Sequence, residues 1–161
     1  MQYDHVDRLL VQWHHQRPDL DCSPMAVVGR LSRMSRMFDS KINATFKKHS
    51  LSSVEFDILT TLRRFNEPMT PTELYQTLML SSGAMSTRIE KLVQRGFIER
   101  IANSEDRRSC RVVLTPEGSI HVNKALEDHL VNEKKMLEPL SNEQCEQLSQ
   151  LLRAWLLANE S

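Results

Sequence analysis

The 161-residue chain has few cysteines, glycines and aromatic residues, and it has no long apolar stretch. Its three cysteines are an odd number and lie far apart, which argues against a disulfide framework. No stretch approaches the ~18 apolar residues of a membrane span, and the polar start does not resemble a signal peptide. With only four glycines and 6% aromatic residues, the composition favours a mainly helical protein. We expect it to be cytoplasmic.

Sequence motifs for catalysis and metal binding are also missing. The chain contains no HExxH or CxxC spacing, no glycine-rich phosphate loop and no nucleophile elbow. We therefore expect no catalytic residues, no metal site and no cofactor, and the chain is predicted not to be an enzyme.

An excess of positive charge is absent too, since 21 basic residues balance 21 acidic ones. The charge is nevertheless segregated along the chain. Residues 23–49 carry a net charge of +5 and residues 81–111 a net charge of +3, whereas residues 116–161 carry −4. This distribution is typical of a protein in which one face meets phosphates and another does not.

Apolar spacing and capping signals predict a mainly α (α+β) fold with one hairpin. We expect N-terminal helices for ligand binding and dimerisation in residues 1–50, a winged helix-turn-helix in 51–115, and C-terminal dimerisation helices in 116–161. The predicted helices are approximately 3–15, 24–48, 53–65, 71–78, 82–95, 116–137 and 142–158, and the predicted strands are 97–101 and 110–114.

The helix that begins near Ser82 has two chemically distinct faces. Met85, Ile89 and Leu92 repeat at helical spacing, and the opposite face is rich in hydrogen-bond donors. A short capped helix precedes it and a basic hairpin follows it, which is the order of a winged helix-turn-helix whose second helix enters the major groove. The alternative is an ordinary α+β packing unit with a solvated polar face.

The hairpin sequence favours the first interpretation. Asp106-x-Arg108, followed by Leu114-Thr115-x-x-Gly118, resembles the wing signature of the MarR family of transcription regulators. The resemblance extends over about residues 24–158 and implies binding of double-stranded DNA, with Asp106 orienting the Arg108 guanidinium. The expected DNA-binding residues are Ser81, Ser82, Ser86, Thr87, Arg88, Lys91, Arg95, Asp106, Arg107 and Arg108.

The first part of the chain is similar to the PecS and urate-responsive subgroup of that family. Four residues match that subgroup's sensing residues, namely Trp13, Asp57, Arg88 and Arg100. The resemblance implies that they meet in one pocket and bind a small aromatic anion such as urate or a phenolic acid. The alternatives are that Trp13 belongs to a core, that Asp57 caps a helix or pairs locally and that Arg88 contacts a DNA phosphate.

The last helix has a wider apolar stripe than its own chain needs. A symmetric homodimer would cover this stripe and place two recognition helices about 34 Å apart on a palindromic site. The alternative is that the helix packs only on its own chain. The residues expected at the dimer interface are Leu9, Leu148, Leu152 and Trp155.

Two further functions remain open at the level of sequence. Cys22 suggests a peroxide- or redox-sensing regulator, although the neighbouring Asp19 and Asp21 oppose thiolate formation. A charge-neutral helical dimer could also be an interaction module that does not bind DNA.

Overall fold

The structure is a computed structural model that describes residues 2–78, 82–102 and 110–160, with the backbone alone for 82–84. Seven α-helices and two strands follow one another in these ranges. They are α1 (His5–Gln16), α2 (Pro24–Lys48), α3 (Ser53–Phe65), α4 (Pro71–Leu78), α5 (Ser82–Gln94), β1 (Ile98–Ala102), β2 (Cys110–Leu114), α6 (Pro116–Leu137) and α7 (Asn142–Leu157). The predicted order of elements is confirmed.

Side-chain caps determine where several of these helices begin. Ser52 caps α3, because its hydroxyl accepts from the Glu55 N–H while the Glu55 carboxylate accepts from the Ser52 N–H. Thr70 and Glu73 form the same reciprocal pair at α4. Such pairs satisfy backbone donors that would otherwise have no partner. Ser141 and Gln144 form another such pair at α7, and the capping signals used to predict helix starts are therefore confirmed here.

The passage from α5 into the sheet depends on Gly96. Its φ of +72° lies in the left-handed region, which a residue without a Cβ adopts at little cost. The chain then enters β1, which pairs antiparallel with β2 so that Ile98 lies opposite Leu114. Met69 adds an isolated antiparallel bridge to Val112, which ties the segment before α4 to the sheet.

The chain folds as two compact units, residues 1–41 and 42–161, with the boundary inside α2. In the first unit Val6 of α1 is buried and lies beside Gly29 of α2. Arg30 of α2 holds α1 through Asp4 at 2.8 Å and Asp7 at 2.6 Å. The division at residues 50 and 115 stays a prediction.

The second unit contains an apolar core to which α3, α4, α5, the sheet and α6 all contribute. Ile58, Leu74, Ile98 and Val122 are at most 1% exposed. Phe46 and Phe56 stack with their ring centroids 4.2 Å apart. This core fixes α5 against the sheet and α6.

Several apolar side chains that follow helical spacing are not covered. Val27 and Val28 of α2 are 63% and 65% exposed, and no residue of α7 is buried. Among the described helices, none is long and apolar enough to cross a membrane. Exposed apolar faces of this kind are a common feature of protein interaction surfaces.

Among the three glycines whose surroundings the structure describes, Gly118 is the one whose replacement the fold should tolerate least. A Cβ there would lie 1.9 Å from the carbonyl oxygen of Phe97, and that backbone is fixed by hydrogen bonds from Phe97 N–H to Leu92 and from Thr115 N–H to Phe97. Gly118→Ala should therefore destabilise the protein by about 1–3 kcal/mol or more, measured as a lower midpoint of urea unfolding.

Gly29→Ala is the matched control. Its Cβ would meet Val6 at 3.5 Å, an ordinary contact, and alanine improves helix propensity by up to about 1 kcal/mol. An unchanged midpoint for Gly118→Ala would contradict this description of the α5–α6 junction.

Candidate nucleic-acid interface

The exposed face of α5 is polar, and its opposite face is buried. Met85, Ile89 and Leu92 are at most 1% exposed. Ser86, Thr87 and Lys91 point to solvent. Because the apolar stripe cannot leave the core, it determines which side chains of α5 another molecule can reach. Ser81 and the side chain of Ser82 lie outside the described residues.

Two arginines occupy one flank of this face and share a carboxylate. Arg88 Nη1 lies 3.7 Å from Glu55 Oε1, and Arg95 Nη1 lies 4.0 Å from Glu55 Oε2. Both guanidinium side chains are about one-third exposed, at 35% and 31%, whereas the Glu55 side chain is 8% exposed. The pairs therefore join the surface of α5 to the buried start of α3.

Glu55 remains ionised although it is buried. Burial raises the pKa of the Glu55 carboxyl, but hydrogen bonds from the Ser52 N–H and hydroxyl and the nearby Arg88 and Arg95 together lower it by more, so that the net shift is downward. Nothing in the sequence pattern singled out Glu55 as a functional residue. Its ion pairs could not be foreseen from spacing, because the partners lie more than thirty positions away.

A row of stacked rings continues from Arg95 towards α6. The Arg95 guanidinium lies 4.7 Å from the Phe97 ring centroid, and Phe97 stacks on His121 at 4.3 Å. His121 Nε2 is 3.0 Å from the carbonyl oxygen of His49, and burial foremost lowers the pKa of His121. This row of contacts fixes the C-terminal end of α5 to α6.

The hairpin carries a further ion pair. Arg100 Nη2 of β1 lies 3.1 Å from Glu90 Oε2 of α5, with both side chains about half exposed. The tip of the hairpin, with Asp106, Arg107 and Arg108, lies outside the described residues. The predicted role of these three residues stays a prediction.

The four expected effector residues have different surroundings. Trp13 is 43% exposed on α1, in the first unit. In the second unit Arg88 pairs with Glu55 and Arg100 with Glu90. Asp57 of α3 keeps contact with solvent, yet partial burial raises its pKa against a smaller opposite effect of His129. The structure thus pairs the two arginines with different carboxylates, and the ligand assignment stays a prediction.

The expected interface residues are accessible. Leu9 is 41% exposed, Leu152 39% and Trp155 65%, and Leu148 is half-buried.

Cys22, Cys110 and Cys145 are free thiols of intermediate exposure. Within the described ranges, no three His, Cys, Asp or Glu side chains are grouped as metal ligands would be.

Comparison with known proteins identifies the family of the chain. Residues 51–110 match the model of the MarR family. The HTH-type transcriptional regulator PecS of Dickeya dadantii is 40% identical over 152 residues, which are 93% of this chain and 92% of that protein. The chain belongs to the MarR family. It is therefore a winged-helix transcription regulator with DNA-binding function and not an enzyme, as predicted.

More distant relatives agree with this assignment. The HTH-type transcriptional regulator MhqR of Bacillus subtilis is 28% identical over 76% of this chain and 84% of its own length. MarR from E. coli complexed with operator DNA has the same fold, with a TM-score of 0.71, 24% identity and coverage of 85% of this chain and 99% of that one. The closeness to PecS also supports the subgroup suggested by the first helix.

Proposed function

We propose that the protein is a ligand-responsive repressor that binds a palindromic operator as a homodimer and leaves it when a small aromatic anion, such as urate or a phenolic acid, binds. The observation that carries the DNA-binding part is the solvent-facing row of Ser86, Thr87 and Lys91 above a fully buried apolar stripe. Hydroxyl and ammonium groups at the surface of a recognition helix suit base edges and phosphates.

The similarity to an operator-bound MarR structure supports the same function. In a winged helix-turn-helix the hairpin tip reaches the DNA backbone or the minor groove. Arg107 and Arg108 place two guanidinium groups at this tip in the sequence. We assign them to phosphate contacts, which position the protein, and Ser86 and Thr87 to base contacts, which specify sequence.

Arg108→Ala should weaken binding to every DNA sequence and reduce the slope of log affinity against log salt by about 0.9, as expected for one lost phosphate contact. Ser86→Ala or Thr87→Ala should instead change base preference, at about 1–3 kcal/mol for each lost base contact. Lys135→Ala, which removes one charge from the acidic end of the chain, is the control in a salt-titrated fluorescence anisotropy assay. The wing assignment is wrong if Arg108→Ala and Lys135→Ala behave alike.

A homodimer accounts for the uncovered face of the last helix. On α7, Leu151, Leu152, Trp155 and Leu156 are between 39% and 71% exposed, and they recur at the spacing of one helical stripe. A second copy of the chain would bury this stripe, as the interfaces of obligate homodimers do.

Leu152→Glu and Trp155→Glu should each convert the dimer to monomers, because a buried carboxylate without a partner opposes association. Gln150→Glu adds the same charge on the opposite side of α7 and should leave the dimer intact. Sedimentation equilibrium at micromolar concentration measures the result. A parent protein that sediments as a monomer would rule out the dimer.

Charge and aromaticity support an anionic effector. The indole of Trp13 offers an accessible ring for stacking, and Arg88 offers a guanidinium for the anion. Arg88 lies on α5, so an anion that draws its side chain away would disturb the DNA-reading helix. Partial burial already raises the pKa of Asp57, and a second negative charge nearby would disfavour its ionised form further. We assign to Arg100, which pairs with Glu90 of α5, the transmission of this charge effect to the hairpin.

Trp13→Ala and Arg88→Ala should lower the affinity for the anion, whereas Asp57→Asn should retain binding but blunt release from DNA. Lowering the pH through the raised pKa of Asp57 should have the same effect as Asp57→Asn, because protonation removes the same charge. The coupling between anion and DNA should be about 1–3 kcal/mol and equal in both directions.

Calorimetry of the DNA-free protein with urate and with salicylate measures this binding. Trp155→Phe leaves Trp13 as the remaining tryptophan, so that its fluorescence reports on the ring directly. No heat and no quenching with either compound would remove the anion proposal and favour the redox alternative at Cys22.

A further inference from the structure

The buried carboxylate of Glu55 carries a charge that the cap of α3 alone does not require. Glu55 Oε2 accepts hydrogen bonds from the Ser52 N–H at 2.8 Å and from the Ser52 hydroxyl at 2.9 Å, which completes the cap of α3. A neutral glutamine at this position also forms a capping box. Burial of the ionised carboxylate costs free energy, and Arg88 and Arg95 offset that cost together with the Ser52 hydrogen bonds. The charge of Glu55 therefore requires a reason other than the cap.

The partners of that charge lie at the edge of the surface that reads DNA. Arg88 lies on α5, and Arg95 follows its last residue while its N–H still bonds to the Lys91 carbonyl oxygen at 3.1 Å. Because the two arginines are seven residues apart, they lie on the same flank, with the exposed Lys91 between them in sequence. Glu55 is fixed by Ser52 and buried, and it cannot follow the arginines outward. Each arginine side chain therefore pairs with a buried carboxylate on its inner side and remains about one-third exposed to solvent.

The pair distances indicate attraction without tight hydrogen bonds. Arg88 and Arg95 lie 3.7 Å and 4.0 Å from the carboxylate oxygens, longer than the ~2.7–2.9 Å of charge-assisted bonds. A DNA phosphate could therefore compete for either guanidinium. The carboxylate reduces the positive charge that this flank offers to phosphates and restricts the directions in which both side chains point.

We propose that Glu55 is a positioning and specificity-determining residue, whose buried carboxylate holds Arg88 and Arg95 at the flank of α5 and weakens their sequence-independent attraction to DNA phosphates. This inference rests on the proposed DNA binding by α5. Phosphate contacts supply nearly all of the non-specific affinity of DNA-binding proteins. A fixed negative charge beside two arginines therefore lowers the non-specific affinity for DNA more than it lowers the affinity that comes from base contacts.

Glu55→Gln tests the proposal, because it keeps the cap and removes the charge. The variant should bind random-sequence duplex DNA roughly threefold to tenfold more tightly at low salt, with a slope of log affinity against log salt that is steeper by about 0.9. Binding to an operator selected from a random pool should gain less, so that the ratio of operator to random affinity falls. Circular dichroism should show an unchanged fold.

Glu73→Gln is the matched control. Glu73 occupies the same capping-box position at α4, where its carboxylate accepts from the Thr70 N–H and hydroxyl. Glu73→Gln removes the same charge, and it should change the slope of log DNA affinity against log salt less than Glu55→Gln does. In a protein that also carries Arg88→Ala and Arg95→Ala, Glu55→Gln should have no effect, and Glu55→Asp alone should keep the parent slope.

The outcomes separate this inference from the proposed function. A parent protein whose DNA binding is absent or independent of salt would refute the proposed function itself. If the parent binds with the expected salt dependence, the inference alone is overturned by any of three results for Glu55→Gln: parent-like affinity, a gain no larger than that of Glu73→Gln, or loss of the fold.

Discussion

The burial of the apolar stripe of α5 is the constraint on which the rest of the site depends. Met85, Ile89 and Leu92 are enclosed by the core of the second unit, so α5 cannot rotate about its axis without exposing them. The polar side chains of the opposite face must then meet solvent. Gly96 ends the helix, and Gly118 allows α6 to pass close behind Phe97. Each of these features keeps one face of one helix at the surface.

Electrostatics refines what this face offers. The Glu55 carboxylate lies behind Arg88 and Arg95, and the Arg95 guanidinium in turn covers Phe97. A recognition helix with unrestrained arginines would bind DNA of any sequence through its phosphates. When a buried carboxylate restrains the arginines, base contacts contribute a larger share of the affinity for DNA. In the same way, an anion at Arg88 would act on a side chain that already has a competing partner.

The sequence predicted the element order and the starts of the capped helices because these depend on local signals, readable within a few residues. It predicted the family from a wing signature and a distinctive first helix, and the comparison with PecS confirmed that assignment. It did not predict that Glu55 would pair with Arg88 and Arg95, since contacts between distant helices depend on packing rather than spacing. The extent to which the α7 stripe is exposed likewise became evident only in the structure.

The central claim is that the recognition helices of a homodimer read a palindromic operator. Selection of bound duplexes from a random DNA pool tests this claim most directly. A dimer with two recognition helices predicts an enriched palindrome whose half-sites lie one helical turn, about 10 base pairs, apart. Footprinting of the enriched sequence should show two protected major-groove segments on the same side of the duplex. No enrichment, or enrichment of a single asymmetric half-site bound by one copy of the chain, would contradict the account.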